Sequence, residues 1–132
     1  MYKRQVEKGV DVTDYGIYDT NPVLYPDIAV KVAKSVASGE NERGILVCGT
    51  GIGMAITANK VPGIRASVCH DTYSAAKSVT SNNAQILTMG ARVIATELGK
   101  KIVDAWLESE FTGGNSLAKV ERIMEYEKEF LK

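Results

Sequence analysis

The sequence predicts an α/β protein, a parallel sheet with helices on both of its faces. Three observations predict it. Short apolar runs such as Gly44-Ile45-Leu46-Val47-Cys48 have the length and composition of strands buried on both sides. Between them lie segments whose apolar residues recur every three to four positions, the period of a helix with one buried stripe. Strand and helix alternate strictly, which is the pattern of crossovers between parallel strands. With 132 residues, 45% apolar and 24% charged, the chain supplies one core, so 1–132 reads as a single domain.

Val10 to Gly16 reads as a first short strand, closed by Gly16. Pro26-Asp27 opens a helix, with proline acceptable in the first turn. Ile28, Val32 and Val36 form its stripe beside Ala29, Ala33 and Ala37, and Gly39 ends it. Gly44–Cys48 is the next strand, Gly49–Gly53 a glycine-rich turn, and Met54–Lys60 a helix. After the Pro62-Gly63 turn, Ile64–Cys69 reads as a strand and Asp71 as the cap of a helix running to Thr80. Gln85–Met89 is a fourth strand, ended by Gly90. Thr96-Glu97 opens a helix with Leu98, Ile102, Val103, Trp106 and Leu107 on its buried side, broken at Gly113-Gly114. A charged amphipathic helix from Ser116 follows, its apolar face made of Leu117, Val120, Ile123, Met124 and Phe130. Four strands is lean for this architecture, and the polar stretch Tyr2–Lys8 reads as the last turn of a helix, as if a strand stood upstream.

Charge and composition narrow the function. Sixteen basic residues balance sixteen acidic ones, so no basic surface for nucleic acid is expected. No apolar run is long enough to span a membrane, and Met1–Gln5 leads into no secretory core. Two cysteines, Cys48 and Cys69, make no disulfide framework, and the expected location is the reducing cytoplasm. No cluster of His, Cys, Asp and Glu has metal-ligand spacing, so neither metal nor other cofactor is expected.

The turn Cys48-Gly49-Thr50-Gly51-Ile52-Gly53-Met54 carries the chemistry. As a dinucleotide fingerprint it lacks the third glycine, since Met54 stands there, although Asp71 follows at a suitable distance. A second reading is catalytic. A thiol at a strand end beside a helix start is placed to accept or give a proton, and the loop amides can stabilise an oxyanion. Together these are the parts needed to move a proton next to a carbonyl. A third reading makes Cys48 a small buried hydrophobe.

The same loop, followed by Ala58-Asn59-Lys60-Val61-Pro62-Gly63-Ile64-Arg65-Ala66, resembles the type B ribose-5-phosphate isomerases and their galactose-6-phosphate isomerase relatives. Tyr25-Pro26-Asp27, Cys69-His70-Asp71-Thr72-Tyr73-Ser74-Ala75 and Gly90-Ala91-Arg92-Val93-Ile94 match as well, and the likeness runs from about Gly9 to Ile123. The resemblance implies a Rossmann-like three-layer α/β/α sandwich, a homodimer or dimer of dimers with sites shared between subunits, and metal-free aldose–ketose isomerisation of a phosphorylated sugar through a cis-enediolate. It implies Cys48 as the base, with Thr50 and the amides of Gly49, Gly51 and Gly53 holding the enediolate oxygens.

The sequence departs from that family in four places. It carries no counterpart of the family's opening strand and its Ser-Asp-His-Ala-Gly-like loop, so the resemblance implies a domain lacking that strand, with Met1–Gln5 as a false start. Ser81, before Asn82, stands where the family has its ring-opening histidine. Asn115 and Lys119 stand where it has phosphate-binding arginines, and lysine lacks the planar fork. Arg92 remains as a phosphate or sugar ligand, and Asn82 as a sugar ligand. A substrate that cannot close into a ring, such as a four-carbon ketose phosphate, needs no ring-opening histidine. The rival reading is a non-catalytic or truncated family subunit. His70, the only histidine, reads mainly as a strand-end residue outside the catalytic set. Asn59 reads equally as a sugar ligand or a helix-end cap, Tyr73 as site lining or packing, and Trp106 as core or subunit interface.

Overall fold

The structure, a computed structural model, describes Gln5, Glu7, Gly9–Gly16 and residues 23–131. The described elements follow in chain order: α1 (Tyr25–Ala37), β1 (Gly44–Cys48), α2 (Ile52–Ala58), β2 (Ala66–Val68), α3 (Thr72–Thr80), β3 (Ile86–Gly90), α4 (Thr96–Glu108), a 3-10 turn (Gly114–Ser116) and α5 (Leu117–Phe130). The three strands form a parallel sheet in the order β1-β3-β2.

β3 lies in the middle and every one of its residues is buried. Its side chains alternate between the two faces. Ile86 joins Leu46, Met54, Ala58 and the Ala29, Val32, Ala33 and Val36 stripe, so α1 and α2 cover one face. Leu87 and Met89 join Val79, Ile102, Val103 and Trp106, so α3 and α4 cover the other. These are the three layers expected of a Rossmann-like sandwich. Thr88, the one polar side chain in the strand, is fully buried and donates its hydroxyl to the Gly51 carbonyl at 2.7 Å. A buried hydroxyl needs such a partner.

The expected strand at Val10–Gly16 is not formed; the segment has no regular structure. Alternating residues make a strand only where a neighbour offers its edge. Here Val10 donates to Gln5, Asp14 accepts the Gly16 amide at 2.7 Å in a tight turn, and the Tyr15 hydroxyl accepts from Asn41 at 3.0 Å. The segment faces β1 across an open groove of about 1150 Å³. β2 is shorter than expected, pairing only from Ala66 to Val68.

Two helices also differ from expectation. α4 stops at Glu108 rather than at Gly113: Ser109 turns to extended backbone, and the Arg43 guanidinium holds this end, donating to Trp106 O at 2.7 Å and, just beyond the helix, to Ser109 O at 2.6 Å while lying over the Trp106 ring. Leu98 is exposed, and Gly99 takes the buried position beside it. On α5 only Val120 is buried; Leu117, Ile123 and Phe130 face outward. Trp106 is core, 1% exposed.

Two stability predictions follow from this packing. Leu87→Ala costs about 2–5 kcal/mol in urea denaturation, because the side chain has no exposed surface. Arg43→Ala costs about 1–3 kcal/mol, because two carbonyls lose a charged donor, and the m-value stays constant.

Candidate active site

β1 ends at Cys48, opposite Gly90 at the end of β3. The chain then turns back through Gly49-Thr50-Gly51 before entering α2. Gly51 has φ +79, and a side chain there would meet the Met89 backbone at 2.8 Å, so the turn requires glycine. The turn folds the Gly51 amide onto the Cys48 sulfur at 3.1 Å, and the Thr50 hydroxyl accepts the Ile52 amide at 3.3 Å. Cys48 is a free, half-buried thiol that packs against the apolar cluster under α1 and α2. The Gly51 amide thus faces the sulfur here, while the resemblance implies a place for it beside the enediolate oxygens.

The loop is held from β3 and its continuation. The Ala91 amide donates to Cys48 O at 2.8 Å, the Arg92 amide to Gly49 O at 3.1 Å, and Thr88 to Gly51 O. The Arg92 side chain runs over Gly49, where a Cβ would lie 3.5 Å from its Cδ, so a guanidinium stands beside the loop. From α1, the Tyr25 hydroxyl lies against Gly53, leaving no room for a side chain there. The structure thus brings Cys48, Gly49, Thr50, Gly51, Gly53 and Arg92 to the carboxyl end of the sheet, where ligands of open α/β sheets bind.

The other expected site residues lie elsewhere. Ser81 caps the end of α3, Asn82 is exposed beyond it, and Asn83 takes the left-handed conformation at φ 51 before the chain enters β3. This is the amino end of β3, whereas Cys48 pairs with its carboxyl end. Four strand steps separate the two ends, about 13 Å. Asn115, in the 3-10 turn, and Lys119, on the first turn of α5, are both exposed. Their chain neighbours Leu117 and Val120 line a surface depression together with Asn83, which places the start of α5 toward the amino end. Within one chain the two sets do not meet.

The Ribose/Galactose Isomerase family profile matches residues 2–123. A D-erythrulose-4-phosphate isomerase of Pectobacterium atrosepticum is 57% identical over 123 residues, covering 92% of this chain and 80% of that protein. A ribose-5-P isomerase B of Listeria innocua is 52% identical, covering 95% and 84%. The solved structure of Clostridium thermocellum ribose-5-phosphate isomerase B superposes with a TM-score of 0.94 at 46% identity, covering 98% of this chain and 87% of that one. The chain belongs to the ribose/galactose isomerase family.

Within this family of aldose–ketose isomerases, the loop was readable because its parts are contiguous. Nothing local in Tyr25-Pro26-Asp27 shows that α1 delivers the Tyr25 hydroxyl to Gly53. Asn59 is structural. Its amide donates to Ala66 O at 3.0 Å and accepts the Ala66 amide at 2.8 Å, tying α2 to β2. Tyr73 is exposed, with the Lys77 ammonium over its ring. His70 accepts the Gly90 amide at 2.9 Å. Asp71 next to it caps α3, and the Ser74 amide holds its carboxyl below the usual range. Among the described residues no cluster of three or more His, Cys, Asp or Glu could hold a metal, and no helix is long and apolar enough to cross a membrane.

Gly51→Ala should lower stability by about 1–3 kcal/mol in urea denaturation, since it forces a strained φ and pushes on the Met89 backbone. The same change should slow alkylation of Cys48 by iodoacetamide, because the amide that faces the sulfur moves.

Proposed function

We propose that the chain interconverts the ketose and aldose forms of a four-carbon sugar 4-phosphate, with Cys48 as the base. A thiolate at Cys48 takes the proton from the carbon beside the carbonyl and returns it to the neighbouring carbon. The intermediate is a cis-enediolate, and the hydroxyl and carbonyl oxygens exchange one proton, so no electrons leave the substrate. Thr50 and the amides of Gly49 and Gly53 donate to the oxygens that gain charge. The observation that carries this reading is the Gly51 amide, held by the β3 end and aimed at the Cys48 sulfur at 3.1 Å.

The choice of a four-carbon substrate rests on Ser81. A hydroxyl is a poor acid or base near neutrality, so it suits a substrate whose ring needs no opening. In a tetrose 4-phosphate the oxygen that would close a five-membered ring carries the phosphate, and the sugar stays open. The 57% identical relative bears the name D-erythrulose-4-phosphate isomerase, which agrees.

The working site is composite in this reading. The Cys48 loop and Arg92 of one copy face Ser81, Asn82, Asn115 and Lys119 of a second. Those residues bind the phosphate and the distal hydroxyl through one ammonium and three neutral polar groups. Exposed Ile52, Ile56 and Val93 around the loop, and Leu117 and Ile123 on α5, supply apolar surface for such a pairing. The two free thiols suit a cytoplasmic enzyme.

The test is an isomerase assay with D-erythrulose 4-phosphate and ribose 5-phosphate on the wild type and Cys48→Ala. The tetrulose phosphate should turn over with the higher kcat/KM, and Cys48→Ala should lose activity by about 10²–10⁴-fold. Equal rates for the two proteins would remove Cys48 from the reaction. A clear preference for the pentose phosphate would overturn the substrate assignment.

A further inference from the structure

The only histidine of the sequence sits at the end of β2 and is used by none of the steps above. Its ring is half-buried, and Nε2 accepts the Gly90 amide at 2.9 Å. With Nε2 accepting in this bond, the ring's donor position is Nδ1.

This bond occupies a particular place in the sheet. β2 pairs with β3 only as far as Val68, and Cys69 makes one more bond, its amide donating to Thr88 O at 3.1 Å. The next outward amide of β3 belongs to Gly90, and the His70 ring takes it. The side chain thus ends the ladder and anchors the last residue of the central strand.

Gly90 is also the residue on which the catalytic loop rests. A Cβ there would come within 2.6 Å of Thr50 Cα and 2.7 Å of Gly49 O, so the two backbones are in direct contact. The two residues after Gly90 donate their amides to Cys48 O and Gly49 O. His70 and the loop therefore grip Gly90 from opposite sides, and a shift of Gly90 moves the loop whose Gly51 amide meets the sulfur.

We propose that His70 is a positioning residue: as an acceptor it fixes Gly90, and through Gly90 it sets the geometry of Cys48–Gly51. The inference rests on the reading of that loop as the catalytic one. It gives the histidine no contact with substrate and no proton transfer. Any side chain that presents an acceptor at the same reach should replace it, and an aromatic ring without one should not.

The experiment compares wild type, His70→Gln, His70→Asn and His70→Phe. Gln places an acceptor near the position of Nε2, Asn falls short of it, and Phe keeps the ring and loses the acceptor. Two readouts are taken. The first is kcat and KM with D-erythrulose 4-phosphate. The second is the rate of Cys48 alkylation by iodoacetamide without substrate, located by mass spectrometry, with buried Cys69 as internal control. His70→Phe and His70→Asn should lose about 10-fold or more in kcat, with KM within about threefold of wild type. Cys48 alkylation should slow in both, and His70→Gln should restore both readouts to within about threefold of wild type. Wild-type kcat in His70→Phe or in His70→Asn would overturn the proposal. So would a His70→Gln protein as impaired as His70→Phe, which would point to the ring's own proton, or a fall in kcat with unchanged alkylation, which would point to a direct role on substrate. The alkylation rates do not depend on the reaction, so they judge the coupling separately. Full activity in Cys48→Ala, by contrast, would remove the catalytic reading itself.

Discussion

The pairing of β1 with β3 is the constraint on which the site depends. The register sets Cys48 against Gly90, and every bond that β3 and its continuation make to the glycine-rich loop follows from that one alignment. A slip by one residue would turn Leu87 and Met89 away from α4 and would bring Thr88 out of reach of the Gly51 carbonyl. The register is held by a central strand whose five residues are all buried, packed on both faces by helices with small residues where they approach most closely. The loop's shape is imposed by amides and a hydroxyl of the strand beside it, and two glycines let the backbones come close enough for those bonds to form.

The same register separates the two groups of polar residues. A five-residue strand has two ends, and polar side chains stand toward both: the thiol loop with Arg92 at one, and Ser81, Asn82, Asn115 and Lys119 toward the other. No side chain bridges a distance of that size. In the proposed function, a second copy supplies the missing half, and a small open-chain sugar phosphate lies between the halves. The reading also explains why neither half is strongly charged. The phosphate needs only a few local groups, so the balanced charge of the whole chain is no obstacle.

What the sequence revealed and what it hid divide along the line between local and distant causes. The buried strands, the α1 stripe and the loop are legible because each is set by contiguous residues: glycine where the turn needs a positive φ, apolar runs where both faces are covered. Val10–Gly16 misleads because its alternation fits a strand, while strand formation depends on a neighbour that alternation cannot show. The end of α4 is held by Arg43, 63 residues before Trp106 in the chain, and no helix-stop signal at Ser109 announces it. The apolar stripe of α5 reads as buried because it is amphipathic, yet within this chain it covers little beyond Val120. His70 looks like a strand-end residue by its position, and it is one. Its link to the loop is a product of the fold, which puts Gly90 beside its ring.

The central claim is that one working site is assembled from opposite ends of two copies. Mixing two inactive proteins tests it most directly. One carries Cys48→Ala and the other Asn82→Ala with Lys119→Ala, and each is purified, combined in equal amounts, unfolded and refolded together. Random pairing makes half the dimers mixed, each with one site that has both intact halves. The account predicts recovery of about a quarter of wild-type activity in the mixture, with neither parent active alone. A mixture as inactive as its parents, from proteins shown to have exchanged partners, would contradict it.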